Sequence, residues 1–393
     1  MRVCGISSWL PRACGIATYF LEQSRAIRAR GHKFEIVCHC DQGQHQGQEC
    51  VHPVLDLEDP AWPEATAAHI AGHIRPELVH IQHEFGLYQQ HEQENASRLI
   101  ELVGRLREYS LPTVITYHTL VGKMREAHKE HYRTLIPLST ISVAHAAYQV
   151  EGLRENIGSI PENMRYVEHG ADRHSAQEMA RLRHLGREEM ELGEQPVVML
   201  NGFFADNKGH EYLVARWDSI YERLHDKATV LAALGGVRVP SQQAYLENLE
   251  RLVARSRYPQ TTLLASRIFT PEQFSASLAA ADLLVAPYKE ASQSGVLAHT
   301  ASVGTPVLAR DLEGLGAFVR AAGQELIPHT GDTEADMDRM ADRVVEIMNS
   351  PARRKQMRQD ILAYVDQVIA WNRVAERYDA IYREAVALCA GRR

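Results

Sequence analysis

Short apolar runs alternate with stretches of helical period along most of the chain, and the alternation comes in two sets. In the first set, strand-like runs fall at 2–7, 34–38, 78–82, 113–117, 140–143 and 165–167. Helical patterns lie between them at 16–30, 63–74, 92–109 and 144–156. Pro196 opens the second set, with strand-like runs at 197–201, 229–233, 262–264, 283–286, 306–309 and 325–327. Its helical patterns fall at 209–224, 241–255, 271–280, 294–302 and 315–321. Strands separated by helices pair in parallel, because a parallel neighbour is reached only by a long crossover. The expected fold class is α/β, with two doubly wound Rossmann-like domains facing each other across a cleft, a favoured ligand site. A chain of 393 residues also exceeds one ordinary core. The expected domains are 1–175 and 196–370. The charged, apolar-poor stretch 176–195 reads as their connection, and 371–393 closes a mostly helical tail.

Composition narrows the function classes. A net charge of −7 argues against nucleic acid as the main partner. No apolar run approaches the roughly 20 residues of a membrane span, and Pro11 and Arg12 interrupt the N-terminus where a secretory core would lie. The expected location is cytoplasmic. Six cysteines show no disulfide spacing. The cluster Cys38, His39, Cys40, His45, Cys50 and His52 lacks the paired short spacings of a zinc site and reads as strand plus loop. The pairs His80/His83 and His128/His131 form no H-E-x-x-H arrangement, so no metal is expected.

The richest segment is Pro287-Tyr288-Lys289-Glu290-Ala291-Ser292-Gln293-Ser294-Gly295-Val296-Leu297, closed by Gly304-Thr305-Pro306-Val307. It joins a buried strand to a helix start, where ligands of open parallel sheets bind. A helix N-terminus offers N–H groups to a phosphate. Glu290 is therefore a candidate for sugar hydroxyls, and Ser294, Gly295 and Val296 for a diphosphate. Lys208-Gly209 opens another helix and supplies a point charge for phosphate. Arg238, after Gly235-Gly236, is a second cationic candidate, and the Arg267-Ile268-Phe269 loop a candidate for contacts to a base. In the first half, Gly15 follows the first strand and allows close backbone approach. The fingerprint G-x-G-x-x-G is absent, which disfavours a dinucleotide dehydrogenase. His118, His83 and Glu84 end strands and are candidates for the same opening, the last two on the acceptor side. Loops 85–94 and 120–132 are the expected acceptor surface. The second is basic, and a solvated helix face is favoured over contact with an anionic membrane surface.

Taken in order, these pieces resemble the family 4 retaining glycosyltransferases of the GT-B fold, along nearly the whole chain. The resemblance rests on Gly15-Ile16, Leu78 to His83, Tyr117-His118-Thr119 and His169-Gly170-Ala171-Asp172. It continues through Asn201-Gly202 with Lys208-Gly209, Glu290 to Pro306, and Trp371 to Ala375. It implies transfer of a sugar from a nucleotide donor, UDP- or GDP-linked, to a saccharide or small-molecule acceptor, with retention and without a metal or other cofactor. It implies that Lys208 holds the pyrophosphate, that Glu290 and His118 contact the donor sugar, and that the closing helices return to the first domain.

The chain also departs from the family pattern. Phe203 stands where the family has an arginine, Cys14 where it has a loop glycine, and the second donor-loop glutamate is missing. His299 is the candidate to replace that glutamate as a hydrogen-bonding group. A sugar-nucleotide 2-epimerase of the same architecture, and a non-catalytic glycan- or nucleotide-binding relative, are the alternatives. An epimerase would need no acceptor, and a binder would show no turnover.

Overall fold

The computed structural model describes residues 1–12, 14–40, 49–88, 97–120, 124–237, 239–290 and 294–391. The chain forms two compact units, Met1–Gly170 with Trp371–Arg393, and Ala171–Ala370. In the first, seven strands run β1 (Arg2–Ile6), β2 (Lys33–His39), β3 (Val51–Leu55), β4 (Leu78–His83), β5 (Thr113–Tyr117), β6 (Ile141–Ala144) and β7 (Met164–Tyr166). They form one parallel sheet in the order β3-β2-β1-β4-β5-β6-β7. The second unit has β8 (Val197–Asn201), β9 (Val230–Gly235), β10 (Thr262–Ser266), β11 (Leu283–Ala286), β12 (Val307–Arg310) and β13 (Glu325–Ile327). Their order, β10-β9-β8-β11-β12-β13, is again all parallel. Each sheet is buried on both faces, because strand side chains alternate between two apolar layers. In β8, Val197 and Met199 join one core cluster, while Val198 and Leu200 join the other.

Every strand-like run of the sequence is a strand. The sequence reading missed β3, a short edge strand whose Pro53 weakens the pattern and is tolerated there because an edge leaves one side without ladder bonds. The basic stretch 120–132, for which a solvated helix face was favoured, runs into the helix Glu126–Leu138. The basic side chains of that helix are matched locally: Lys129 and Arg133 pair with Glu126, and Arg133 also with Glu130. Residues 121–123 and 89–96, parts of the two expected acceptor loops, lie outside the described residues.

The stretch 176–195, expected as a connection, is instead an integral part of the second unit. Ser175 caps the helix Ala176–Glu189 by accepting a hydrogen bond from the Glu178 N–H. Gly186 lies so close to the helix Pro271–Ala280 that a Cβ would collide with the Ala276 carbonyl oxygen. Arg183 donates to the carbonyls of Ala279, Ala280 and Ala281, and Arg183 and Arg187 both pair with Asp282. The helix looks like a linker in sequence because it docks through glycine and arginines rather than a broad apolar stripe.

The final helix, Trp371–Ala390, belongs to the first unit. Val374, Tyr378, Ile381 and Tyr382 join the core cluster that contains Val3, Phe20 and Ile36. Tyr382 shares a 2.7 Å hydrogen bond with His80 Nδ1, and Tyr378 a 3.0 Å bond with Thr116. Among the described residues, no helix is long and apolar enough to cross a membrane.

Buried ionisable groups in both units tie stability to pH. Asp336 is fully buried against Arg310 at 2.7 Å and also accepts from Thr330 and Arg339. Burial alone would raise its pKa, but these hydrogen bonds outweigh it and hold the carboxyl well below the usual range. That stabilisation is present above the ordinary carboxylate pKa and is lost as pH falls through the lowered one. Asp336→Asn leaves Arg310 buried with a weaker partner, and we expect a loss of about 3–5 kcal/mol, read from the urea midpoint of unfolding. An unchanged midpoint would refute this assignment.

The first unit responds to milder acid. Burial pushes His80 down to about 3, and His131 and His145 to about 4. Unfolding lets these groups take up protons near pH 6, so their stabilisation is complete above about pH 6.5 and shrinks as pH falls toward 4. The melting temperature is expected to drop by roughly 10 °C between pH 7 and pH 5, as followed by calorimetry. A flat profile would show that these imidazoles are not buried neutral.

Candidate functional site

In the second sheet β8 and β11 are neighbours, and their connections leave toward opposite sides. The loops beyond their carboxyl ends therefore part at this point and leave a crevice, the usual ligand position of an open α/β sheet. After β8 the chain runs through Gly202 and Phe203 to the turn Asp206–Lys208, then into the helix His210–Arg223. After β11 it runs through Tyr288 and Glu290 to the helix Gly295–Ser302.

These two loops touch. Gly209 has φ +62°, and a Cβ there would collide with the Pro287 carbonyl oxygen, so glycine is required on both counts. The Lys289 N–H donates to the Asn207 carbonyl at 2.9 Å. The Lys289 ammonium pairs with Asp206 and Glu211, each at 2.6 Å, which fixes the turn that carries Lys208. Lys208 itself makes no ion pair among the described residues. Its ammonium lies over the Tyr288 ring, 4.0 Å from the centroid.

Gly202 forms the floor beside it. A Cβ at Gly202 would stand 3.8 Å from both Lys208 Cε and Val296 Cγ2, so bare backbone lies between the lysine and the helix start. Ser294 occupies the N-cap, yet its hydroxyl lies 3.3 Å from the Tyr288 hydroxyl and caps no N–H of the helix. Gly295 is exposed, with open space where a side chain would be. Among the described residues no side chain caps the first N–H groups of this helix, and a cation lies near them, an arrangement that suits an anion. Glu290 is exposed at the mouth of the same loop, while 291–293 and Arg238 lie outside the described residues.

The remaining candidates of this unit sit farther along the sheet edge. Phe269 is not an open platform for a base. It is partly buried on the core, 6.4 Å from Phe274, and the Arg267 guanidinium covers it at 4.7 Å. Arg267 in turn pairs with Glu189 at 2.8 Å, and the exposed member of that loop is Ile268. His299 is half-buried on the helix Gly295–Ser302, edge-on to Phe274 at 5.3 Å. Burial lowers its pKa, with Asp172 acting against and His174 with the shift, so it is neutral near pH 7 and can offer a hydrogen bond but not a carboxylate's charge.

In the first unit, His118 follows β5 and is half-buried. The Gln82 amide donates to Gln23 Oε1 at 2.8 Å, so Gln82 Oε1 is the acceptor that faces His118 Nε2 at 2.8 Å. His118 therefore carries its proton on Nε2 and presents Nδ1 as a lone pair. Its ring is edge-on to Tyr19 at 4.9 Å and 5.1 Å from His145. Burial, reinforced by His145 and His169, holds its pKa well below the usual value, so it works as a neutral imidazole.

The other first-unit candidates part company with it. His83 does not line an opening. Strand alternation turns it to the opposite face from Gln82, where it is fully buried and 2.9 Å from His131 Nε2. Glu84 serves its own loop: it accepts from the Phe85 N–H at 3.1 Å and from the Thr119 hydroxyl. Gly15 begins the helix Gly15–Ala29 with open space around it, and its backbone is outside the left-handed region. No group of three or more metal-ligating side chains is assembled among the described residues. Sequence reasoning missed Gln82 and Tyr288. For Gln82 the signal was present, since the two-residue period of β4 puts it on the same face as His80.

Comparison with known proteins agrees with this architecture. Residues 13–175 match the family described as Glycosyltransferase Family 4, and residues 195–350 the family described as Glycosyl transferases group 1. A D-inositol 3-phosphate glycosyltransferase of Corynebacterium aurimucosum is 24% identical over 295 residues, covering 71% of this chain and 68% of that protein. Among solved structures, a sucrose-phosphate synthase from Thermosynechococcus elongatus superposes with a TM-score of 0.74 at 18% identity, covering 98% of this chain and 99% of its own. Anabaena HepE, solved in complex with UDP, gives a TM-score of 0.69 at 13% identity, covering 97% and 99%. With two parallel Rossmann-like sheets, a Glycosyltransferase Family 4 match on residues 13–175 and a Glycosyl transferases group 1 match on residues 195–350, the chain is a glycosyltransferase of the GT-B fold.

Proposed function

We propose that this glycosyltransferase moves a sugar from a nucleoside-diphosphate sugar to an acceptor hydroxyl with retention of configuration. The observation that carries the reading is the Lys208 ammonium, unmatched by any carboxylate among the described residues, beside the bare Gly202 backbone and the uncapped start of the helix Gly295–Ser302. Such a site suits a diphosphate better than a neutral ligand. As the glycosidic C–O bond of the donor breaks, negative charge grows on the leaving phosphate oxygen. Lys208 and the N–H groups of Gly295 and Val296 stabilise that charge, a role that in this reading needs no metal.

Sugar recognition falls to acceptor groups. Glu290 takes hydrogen bonds from donor-sugar hydroxyls, and His118 offers Nδ1, the atom that the Gln82 contact leaves without a proton, as an acceptor for a sugar hydroxyl. His299 contributes a neutral hydrogen-bonding group near the ribose, in place of a second glutamate. Solved relatives are recorded with UDP-glucose and, for a starch synthase of Arabidopsis thaliana, with ADP and acarbose, which supports a nucleotide-sugar donor and a saccharide acceptor. The base, UDP or GDP, is the first quantity to measure. A nucleotide that binds the folded state raises the melting temperature by mass action, so a panel of nucleotides and nucleotide sugars separates the two.

With the donor so identified, Lys208→Ala and Glu290→Ala are each expected to lower kcat/KM for transfer by about 10²-fold or more while the melting temperature holds. Wild-type rates in both would remove the donor-site assignment. His118→Ala is expected to cost about tenfold to 10²-fold in kcat/KM. Because His118 is already neutral well below pH 6.5, the wild-type rate should show no limb from this residue between pH 8 and pH 6. A limb in that range that disappears in His118→Ala would contradict the neutral role.

A further inference from the structure

We propose that Tyr288 is a positioning residue that keeps Lys208 charged, unpaired and aimed beside the helix start, so that the lysine and the N–H groups of Gly295 and Val296 act as one anion cradle. The proposal rests on the donor-site reading above and adds a residue that neither the family matches nor the sequence reading assigned.

The geometry points to Tyr288 from three sides. Its ring is 1% exposed, so it is fixed by packing against the core cluster that holds Leu297 and Ala298 of the same helix. Its face receives the Lys208 ammonium at 4.0 Å, the distance of a cation–π contact. Its hydroxyl lies 3.3 Å from Ser294 Oγ and holds that side chain in a contact outside the helix cap. One side chain therefore touches both halves of the anion site.

The neighbouring lysine shows what the ring avoids. Lys289 is held by two carboxylates, Asp206 and Glu211, at 2.6 Å each, and its charge is spent within the protein. A lysine held by an aromatic face is also restrained, but no counter-charge cancels it. It can turn to an incoming phosphate without breaking an ion pair. The turn Asp206–Lys208 is locked by Lys289, so the remaining freedom of Lys208 is in its own side chain, and that is what Tyr288 limits.

The test uses the full chain and inorganic pyrophosphate as the probe, followed by titration calorimetry, with wild type, Lys208→Ala, Tyr288→Leu, Tyr288→Phe and the double variant Lys208→Ala/Tyr288→Leu. Tyr288→Leu removes the ring face and is expected to weaken pyrophosphate about tenfold. Tyr288→Phe keeps the face and should stay within about threefold. The decisive result is the cycle: in the Lys208→Ala background, Tyr288→Leu should weaken binding little further, because a ring that acts through the lysine has nothing left to hold. A merely structural role would weaken binding equally in both backgrounds, and that outcome overturns the proposal. So does wild-type binding by Tyr288→Leu when Lys208→Ala has lost affinity, which leaves the donor-site reading intact. If Lys208→Ala binds pyrophosphate as well as wild type does, the donor-site reading fails and the role of Tyr288 fails with it. Should Tyr288→Leu not fold, Tyr288→Phe against Tyr288→Met carries the same comparison.

Discussion

The close approach of two loops in the second unit, Gly209 against the carbonyl of Pro287, is the constraint on which the site depends. The two loops follow β8 and β11, which are adjacent in the sheet although β9 and β10 lie between them in the chain. Any side chain at residue 209 would push them apart, and its positive φ would add strain. With glycine there, the turn Asp206–Lys208 sits against the end of β11, the Lys289 N–H reaches the Asn207 carbonyl, and Lys208 arrives over Tyr288. The proposed anion site is therefore a product of backbone proximity first and of charge second. A cation on a freely moving loop would attract phosphate from solution but would not fix its orientation, and orientation is where much of the catalytic gain of such a site lies.

The first unit solves a different problem, that of presenting a neutral imidazole. Burial alone makes charged histidine costly, and the histidines around His118 disfavour one another's protonation. Neutrality leaves the choice of tautomer open, and here the polar core decides it. Gln23, Gln82 and Tyr19 form a chain of directed bonds, with the Gln23 amide donating to the Tyr19 hydroxyl at 3.2 Å. The chain ends in an oxygen facing His118 Nε2. The final helix completes this core through Tyr378 and Tyr382, which bond to Thr116 and His80. A segment more than two hundred residues away in sequence thus helps set the chemistry of a histidine at the end of β5.

What could be read in the sequence follows from which forces leave a local trace. Buried parallel strands write themselves as apolar runs, so twelve of the thirteen strands, all but the edge strand β3, were legible, and the fold class with them. The helix Ala176–Glu189 was legible as a helix and misread as a linker, since glycine contact and arginine-to-carbonyl bonds leave no apolar stripe. At the candidate site, glycines and a lysine at strand ends pointed to Lys208, Gly209 and Gly295, which the structure carries on two loops that touch. His83 was placed on the wrong side for want of the strand's period, and on the loop read as a candidate for contacts to a base Arg267 covers Phe269. Tyr288 left no trace of its role, because a cation–π contact joins two residues eighty apart and has no spacing of its own.

The departures from the family pattern take on a structural meaning in this setting. Phe203, where the pattern that the sequence resembles has an arginine, has its ring against Gly236, where a Cβ would come within 3.2 Å of it and within 3.3 Å of Ile268. Gly235, one residue earlier, is required for a second reason, since a Cβ there would collide with the Gly202 carbonyl oxygen. The Phe204 N–H completes the contact by donating to the Gly236 carbonyl at 3.1 Å. Two consecutive glycines thus make room for the loop that carries the aromatic ring. The backbone around residue 203 is thus fitted to the aromatic ring.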